Sequence, residues 1–182
     1  MKPSEWTWPS ANSGVDADVV VVGGGMSGIS AALAARRSGC RVLLAERHGF
    51  LGGAATAGSV AQFVGWATRA GRRVVRGIAG EIAERLEAAG GAAGFDVFTM
   101  STGHRMDRLQ YDPEILKVVL DDMLSEAGVT VLFHCALAGI EAGDGRVKAL
   151  RIATQKGALE IGGTVFIDAS GDMALLDAAG AR

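Results

Sequence analysis

From Asp18 onward the apolar positions of the chain change period several times, and each change marks an element. "DVVVV" is an unbroken β-branched run, the pattern of a strand buried on both faces of a parallel sheet. "MSGISAALAARRSG" then suits a helix ending near Gly39, and "RVLLAE" a second parallel strand, so the three form a βαβ unit. After the loop "RHGFLGGAATAGS", the stretch Gly77 to Gly90 spaces Ile78, Ile82 and Leu86 along one helical face. "GGAAG" reads as a glycine-rich joint after it. In "DPEILKVVLDDMLSEAG", Asp112 is the expected N-cap, Pro113 the first helical residue and Gly128 the stop. "VTVLFH" reads as another strand. Three short β-rich runs, Leu137 to Glu141, Val147 to Thr154 and Ala158 to Ile161, are separated by the hairpin signals "GDG" and "QKG". "TVFIDASGD" returns to a buried strand and "MALLDAAG" to a short helix. The expected fold class is α/β: a Rossmann-like parallel sheet flanked by helices, with a small antiparallel β-meander inserted at about residues 136–162. Residues 1–17 are expected to form an extended leader and 18–182 one domain.

Length and charge narrow the functions open to such a chain. At 182 residues it fits one ordinary domain. Its 18 basic and 20 acidic residues, net charge −2, are mixed along the sequence, which argues against nucleic acid or an anionic membrane as partner. Apolar runs such as Val19 to Val22 are far below the roughly 18 residues that a bilayer requires, and "MKPSEWTWPSANSG" lacks the basic start and apolar block of a signal peptide. The expectation is a cytoplasmic protein. Cys40 and Cys135 are too few for a disulfide framework or a four-thiolate cluster, and no metal site is expected.

The glycines carry the chemistry. Gly23, Gly25 and Gly28 form G-x-G-x-x-G directly after the first strand and at the start of the first helix. In this setting Gly23 turns the chain, Gly25 lets backbone approach a pyrophosphate, and Gly28 lets helix and strand pack closely. The helix N-terminus, Met26 and Ser27, offers unpaired N–H groups and partial positive charge to phosphates, and Ser27 adds a hydroxyl. Glu46 ends the second strand near the spacing of about 20 residues at which a carboxylate takes both ribose hydroxyls. That carboxylate disfavours a 2′-phosphate, so NADP is set aside, and NAD and FAD remain. Arg47 is expected beside the adenine or in solvent.

Three blocks extend this pattern: "DVVVVGGGMSGISAALAARRSGCRVLLAERHGFLGGAATAG", "YDPEILKVVLDDMLSEAGVTVLFHCAL" and "VFIDASGDMALLDAAGA". In order and spacing they resemble the FAD-dependent oxidoreductases of the glutathione-reductase type, and are similar to the flavoprotein part of heterodisulfide reductase. The resemblance implies FAD as cofactor and electron or hydride transfer through its flavin to an unknown substrate. It implies that Gly52 and Gly53 bring amides to the flavin half of the cofactor, with Thr56 in the loop running toward the isoalloxazine. It also implies that Ala136 and Leu137 present backbone to the adenine edge, that Gly171 lets the last strand approach the cofactor, and that Asp172 caps the following helix or faces the ribose. Ser170 stands where the family usually has threonine. Members of the family are longer, so a C-terminal domain or partner chain is expected to complete the flavin site. The alternatives are an NAD-binding dehydrogenase domain, which would be colourless, and a non-catalytic FAD-binding module that needs a partner.

The remaining polar residues read more simply. His48 is expected beside the ribose or at the surface, and His134 to be structural. "STGHRMDRLQ" reads first as a solvated edge strand, and second as an arginine pair able to hold an acidic substrate. "RAGRRVVRG" reads as a solvated basic loop or a contact with another domain, though it is basic enough for an anion. No catalytic residue is assigned, and Cys40 has no nearby thiol for a CxxC couple.

Overall fold

A computed structural model describes residues 15–68 and 70–181. Nearly all of the expected leader lies outside the described residues. The first strand, β1 (Val15–Val22), runs into α1 (Met26–Arg37) and then β2 (Val42–Ala45). β1 pairs in parallel with β2 on one side and with β9 (Gly157–Asp168) on the other, while β6 (Thr130–Leu132) extends the parallel set beyond β2. β8 (Arg146–Thr154) and β7 (Ala136–Gly143) continue the sheet antiparallel beyond β9. The strand order is β6-β2-β1-β9-β8-β7.

Each valine of the "VVVV" run is buried, as both faces of β1 are covered. Val19 and Val21 pack with Ile29 and Leu33 of α1 and with the helices α2 (Ile78–Ala88) and α3 (Pro113–Ala127). Val20 and Val22 face the other way, into a second core with Leu150, Ile152 and Ile161 of the meander and Leu175 of α4 (Ala174–Ala178). Burial of each such side chain contributes on the order of 1.5–3 kcal/mol. Among the described residues no helix is long and apolar enough to cross a membrane.

Three expectations are corrected. The third run of the meander and the last buried strand are one continuous strand, β9, because the Gly162–Gly163 pair stays extended and in register with Asp16 and Ala17. Glycine is needed at both places: a Cβ on Gly162 would overlap the Asp16 carboxylate, and one on Gly163 would press on Val20 and Phe166 at 2.9 and 3.1 Å. The "GGAAG" joint is likewise the entry to a strand, β4 (Ala92–Thr99), which with β5 (Arg105–Tyr111) and β3 (Gln62–Val64) forms a separate antiparallel sheet of order β3-β5-β4. Its aromatic residues explain the sheet: Phe63, Trp66, Phe95 and Tyr111 interlock with ring centroids 4.5–6.4 Å apart. β5 is the central strand of that sheet rather than an edge.

Candidate functional site

In β6-β2-β1-β9 the chain moves one way from β1 through α1 and the other way into β9, so the crevice beyond the C-terminal ends of β1 and β9 is a topological switch point, where open α/β sheets bind ligands. Gly23 and Ala169 are the residues that leave these two strands. Gly23 has φ +104° and donates its N–H to the Ala45 carbonyl at 2.8 Å. A Cβ there would overlap the backbone of Ala169 and Ser170. Gly28 sits one turn into α1 against the Gly23 carbonyl, with no room for a Cβ. Gly25 differs: a Cβ on it would meet only the Gly53 Cα, at 4.0 Å. It is the glycine that faces open space. Gly25 is also the N-cap of α1, supplies no side-chain cap, and is followed by no acidic residue in the first turn. The amides of Met26 and Ser27 therefore meet the opening without a protein anion to satisfy them.

The second glycine pair lies directly on the first. Gly52, at φ +108°, donates to the Gly24 carbonyl at 2.8 Å and bridges to Gly25. Gly53, at φ +57°, starts a 3₁₀ turn, Gly53–Ala55, and a Cβ on it would press to 2.9 Å from the Gly25 Cα. Two glycine segments thus pack backbone to backbone, forming a floor with no side chains. Thr56 is buried, its hydroxyl donating to the Leu51 carbonyl at 2.6 Å, and it lies outside the groove lining. Ala55 accepts a hydrogen bond at 3.0 Å from the Tyr111 hydroxyl, so the antiparallel sheet braces this turn. Burial raises the Tyr111 phenol to about 12.

Glu46 is 4% exposed. Its Oε2 accepts the Gly24 N–H at 2.6 Å and its Oε1 the His48 N–H at 2.7 Å. Each oxygen keeps a further lone pair on the groove side, which Glu46 lines. Arg47 and Asp172, both largely exposed, approach to 3.8 Å across the crevice mouth. His48 also lines the groove and stacks on Phe50. His134, at φ +55°, donates its amide to the His48 carbonyl.

Across from α1, Asp168 at the end of β9 organises the return loop. Its Oδ1 accepts the Ser170 hydroxyl at 2.6 Å and the Ser170 amide at 3.0 Å, and its Oδ2 accepts the amides of Leu175 and Leu176 at 2.9 Å. Ser170 in turn accepts the Ala174 amide at 3.0 Å. Burial pushes the Asp168 carboxyl up, but these hydrogen bonds outweigh it and hold it below the ordinary carboxylate range. The cap of α4 is therefore Asp168 with Ser170, and Asp172 is left for the groove. The sequence left Asp172 open between capping the helix and facing the ribose, and did not point to the acid at the strand end.

These parts enclose a groove of about 740 Å³ lined by Gly23, Gly25, Met26, Ser27, Glu46 and Arg47 on one side and by Gly52, Gly53, Ser170, Gly171 and Asp172 on the other. A smaller recess of about 200 Å³ continues from Glu46 and Arg47 to Cys135, Ala136 and Leu137, where β7 begins. There the Cys135 amide donates to the Glu46 carbonyl at 2.9 Å, and burial pushes its thiol up. The residues assigned from sequence thus converge, except Gly28, which packs behind the loop, and Thr56. Ala54, Ala57 and Gly58, unassigned from sequence, also line the groove. Their small size was the available signal.

A family model described as FAD dependent oxidoreductase matches residues 18–182. No curated protein matches the sequence. Among solved structures, Thermovibrio ammonificans THI4 superposes with a TM-score of 0.57 at 24% identity, over 92% of this chain and 64% of that one. A geranylgeranyl bacteriochlorophyll reductase-like protein from Thermoplasma acidophilum gives 0.62 at 18% identity, over 87% and 40%. The p-nitrophenol 4-monooxygenase of Pseudomonas putida gives 0.62 at 14% identity, over 92% and 44%. These likenesses are of fold, and the chain spans between 40% and 64% of the length of these neighbours.

Proposed function

The chain belongs to the FAD dependent oxidoreductase family, and from that premise we propose that its switch-point groove holds FAD as the working cofactor of an oxidoreductase. The observation that carries the reading is the floor made by Gly23–Gly25 against Gly52–Gly53, with the uncapped N-terminus of α1 opening onto it. A side-chain-free floor beside free amides suits a pyrophosphate, and the family resemblance gives the second glycine pair to the flavin half, a reach that a nicotinamide dinucleotide does not usually need.

In this reading the Met26 and Ser27 amides receive the pyrophosphate. The spare lone pairs of Glu46 accept the ribose hydroxyls, with Arg47 beside the adenine and the backbone of Ala136 and Leu137 along its edge. Gly53 offers its amide to the flavin half, while the Gly52 amide is held by the Gly24 carbonyl and serves the floor, and Gly171 and Asp172 close the opposite wall. FAD supplies the two-electron chemistry, and the protein's share is to hold, orient and shield it. The finer likeness to the flavoprotein part of heterodisulfide reductase rests on the three sequence blocks and belongs to the same proposal, as do a cytoplasmic location and a further domain or partner chain over the flavin end.

The test is to purify the chain, record its visible spectrum, denature it and identify what is released. Released FAD supports the reading. A colourless protein that binds NAD and cannot be reconstituted with FAD overturns it.

A further inference from the structure

Away from the groove, two polar stretches that the cofactor site does not use come together. The chain after β3 folds back as a hairpin. Thr68 donates to the Arg72 carbonyl at 2.9 Å, Gly71 to the Thr68 carbonyl at 2.8 Å, and Val74 to the Trp66 carbonyl at 2.9 Å. The hairpin is pinned at both ends. At its base the Gly65 amide donates to the Asp107 carbonyl of β5 at 3.0 Å. On its return limb the Arg73 guanidinium lies 3.4 Å from the Phe95 ring centroid and 5.4 Å from that of Trp66. Facing it, the β4–β5 turn is closed by Met100 donating to His104 at 2.8 Å and by the Thr102 hydroxyl at 3.1 Å from His104 Nδ1.

Between hairpin and turn is a hollow of about 680 Å³. Its polar lining is Arg105 and Asp107 from β5, with Thr68, Thr102 and His104, and its apolar lining is Val97 and Ala67; Met106 borders it between the two charged residues, but its side chain leaves β5 on the other face. Arg105 and Asp107 are two apart on one strand, so both project from the same face, roughly 7 Å apart along it. In the ladder they lie opposite Thr99 and Val97. Neither takes part in an ion pair among the described residues, whereas Arg108, on the other face, is paired with Asp96 at 2.7 Å. Among the described residues, the lining therefore presents one cation and one anion side by side, with hydroxyls between two hydrogen-bonded walls and an apolar flank.

We propose that this hollow binds a zwitterionic α-amino acid with an apolar side chain, its carboxylate on Arg105 and its ammonium on Asp107. A guanidinium fork receives a carboxylate through paired N–H donors, and a carboxylate accepts from an ammonium. The two ligand charges stand close enough together to be reached by both side chains. The apolar side chain then lies along Val97 and Ala67. The proposal is independent of the cofactor reading, because it uses neither the groove nor turnover.

The test is equilibrium calorimetry on the full chain, as purified, with L-leucine and two analogues that each lack one charge, 4-methylpentanoate and 3-methylbutylamine. L-Leucine should bind saturably, and each analogue about tenfold or more weaker, the effect of removing one charge-assisted hydrogen-bonded pair. Arg105→Gln and Asp107→Asn should each weaken L-leucine by about tenfold, while Asp107→Asn leaves 4-methylpentanoate unchanged. Unaltered melting temperatures separate lost binding from lost folding, since both positions are at the surface of the sheet. Failure of L-leucine to saturate, equal binding of the three compounds, or binding unaffected by both substitutions overturns the site. A chain that releases no FAD but binds L-leucine in this pattern would leave this proposal standing and sink the cofactor reading.

Discussion

Each oxygen of the Glu46 carboxylate holds one backbone amide, Gly24 on one side and His48 on the other, in a site 4% exposed. Glutamine has the same shape but only one carbonyl oxygen, so its amide nitrogen must face one of those N–H groups. Glu46→Gln should lower unfolding stability by about 2 kcal/mol in a urea titration and weaken FAD binding by more than tenfold, because it both loosens the glycine loop and removes the proposed ribose acceptor. Met173 is the opposite case, a residue whose replacement should help. It sits at φ +59°, the left-handed region that costs a side chain about 1–2 kcal/mol, and 65% of it is exposed, so little burial is lost with it. Glycine removes the strain but adds freedom to the unfolded chain, at about 0.5–1 kcal/mol. The balance for Met173→Gly is a gain of about 0.5 kcal/mol, visible as a raised melting temperature.

Elements whose ends are written locally were legible in advance. α3 begins where Asp112 Oδ1 accepts the Glu114 amide at 2.8 Å and ends where Gly128 turns left-handed at φ +74°, as the Asp-Pro and Gly signals indicate. Asp112→Ala should cost about 1 kcal/mol in chemical denaturation. α4 was legible as a helix but not in its cap, since Asp168 lies in the preceding strand. Its lowered titration point has a sign that can be checked. A carboxyl held below its unfolded value stabilises the fold fully above the ordinary range, and that stability is lost as pH falls through the folded value. Stability should therefore drop below about pH 4 in the natural chain, and less steeply in Asp168→Asn. What could not be read was pairing. The parallel strands and the glycine loop announced themselves by composition, but nothing near Gly162 and Gly163 says that one strand runs through them, and β4 begins inside a stretch of small residues that resembles a linker. One wall of the candidate groove was legible for the same reason as α3, because Gly23, Gly25 and the strand-end Glu46 are local signals, whereas Gly52, Gly53, Ala136, Leu137, Gly171 and Asp172 came from the family resemblance. Asp168 and the Tyr111 brace act over distance.

At the scale of the whole molecule, the Tyr111 hydroxyl joins the antiparallel sheet to the turn that floors the groove. Tyr111→Phe should lower stability by about 1 kcal/mol and weaken FAD several-fold without unfolding the chain, since the ring still packs against Phe63. The phenol titrates at about 12 in the fold and near 10 when unfolded, so the fold is fully favoured below pH 10 and loses stability as pH rises toward 12. A stability series across that window should fall more steeply for the natural chain than for Tyr111→Phe. The pairing of β1 with β9 has a consequence for synthesis. Val15 meets Ile161 and Val22 meets Asp168, so the first strand of the sheet to leave the ribosome lacks its central neighbour until β9 has followed, a delay on the order of ten seconds. Gly23, which abuts Ala169, has nothing to abut until then. The nascent chain must shelter its most apolar run while it waits, and the cofactor can be captured only after translation has passed the return loop.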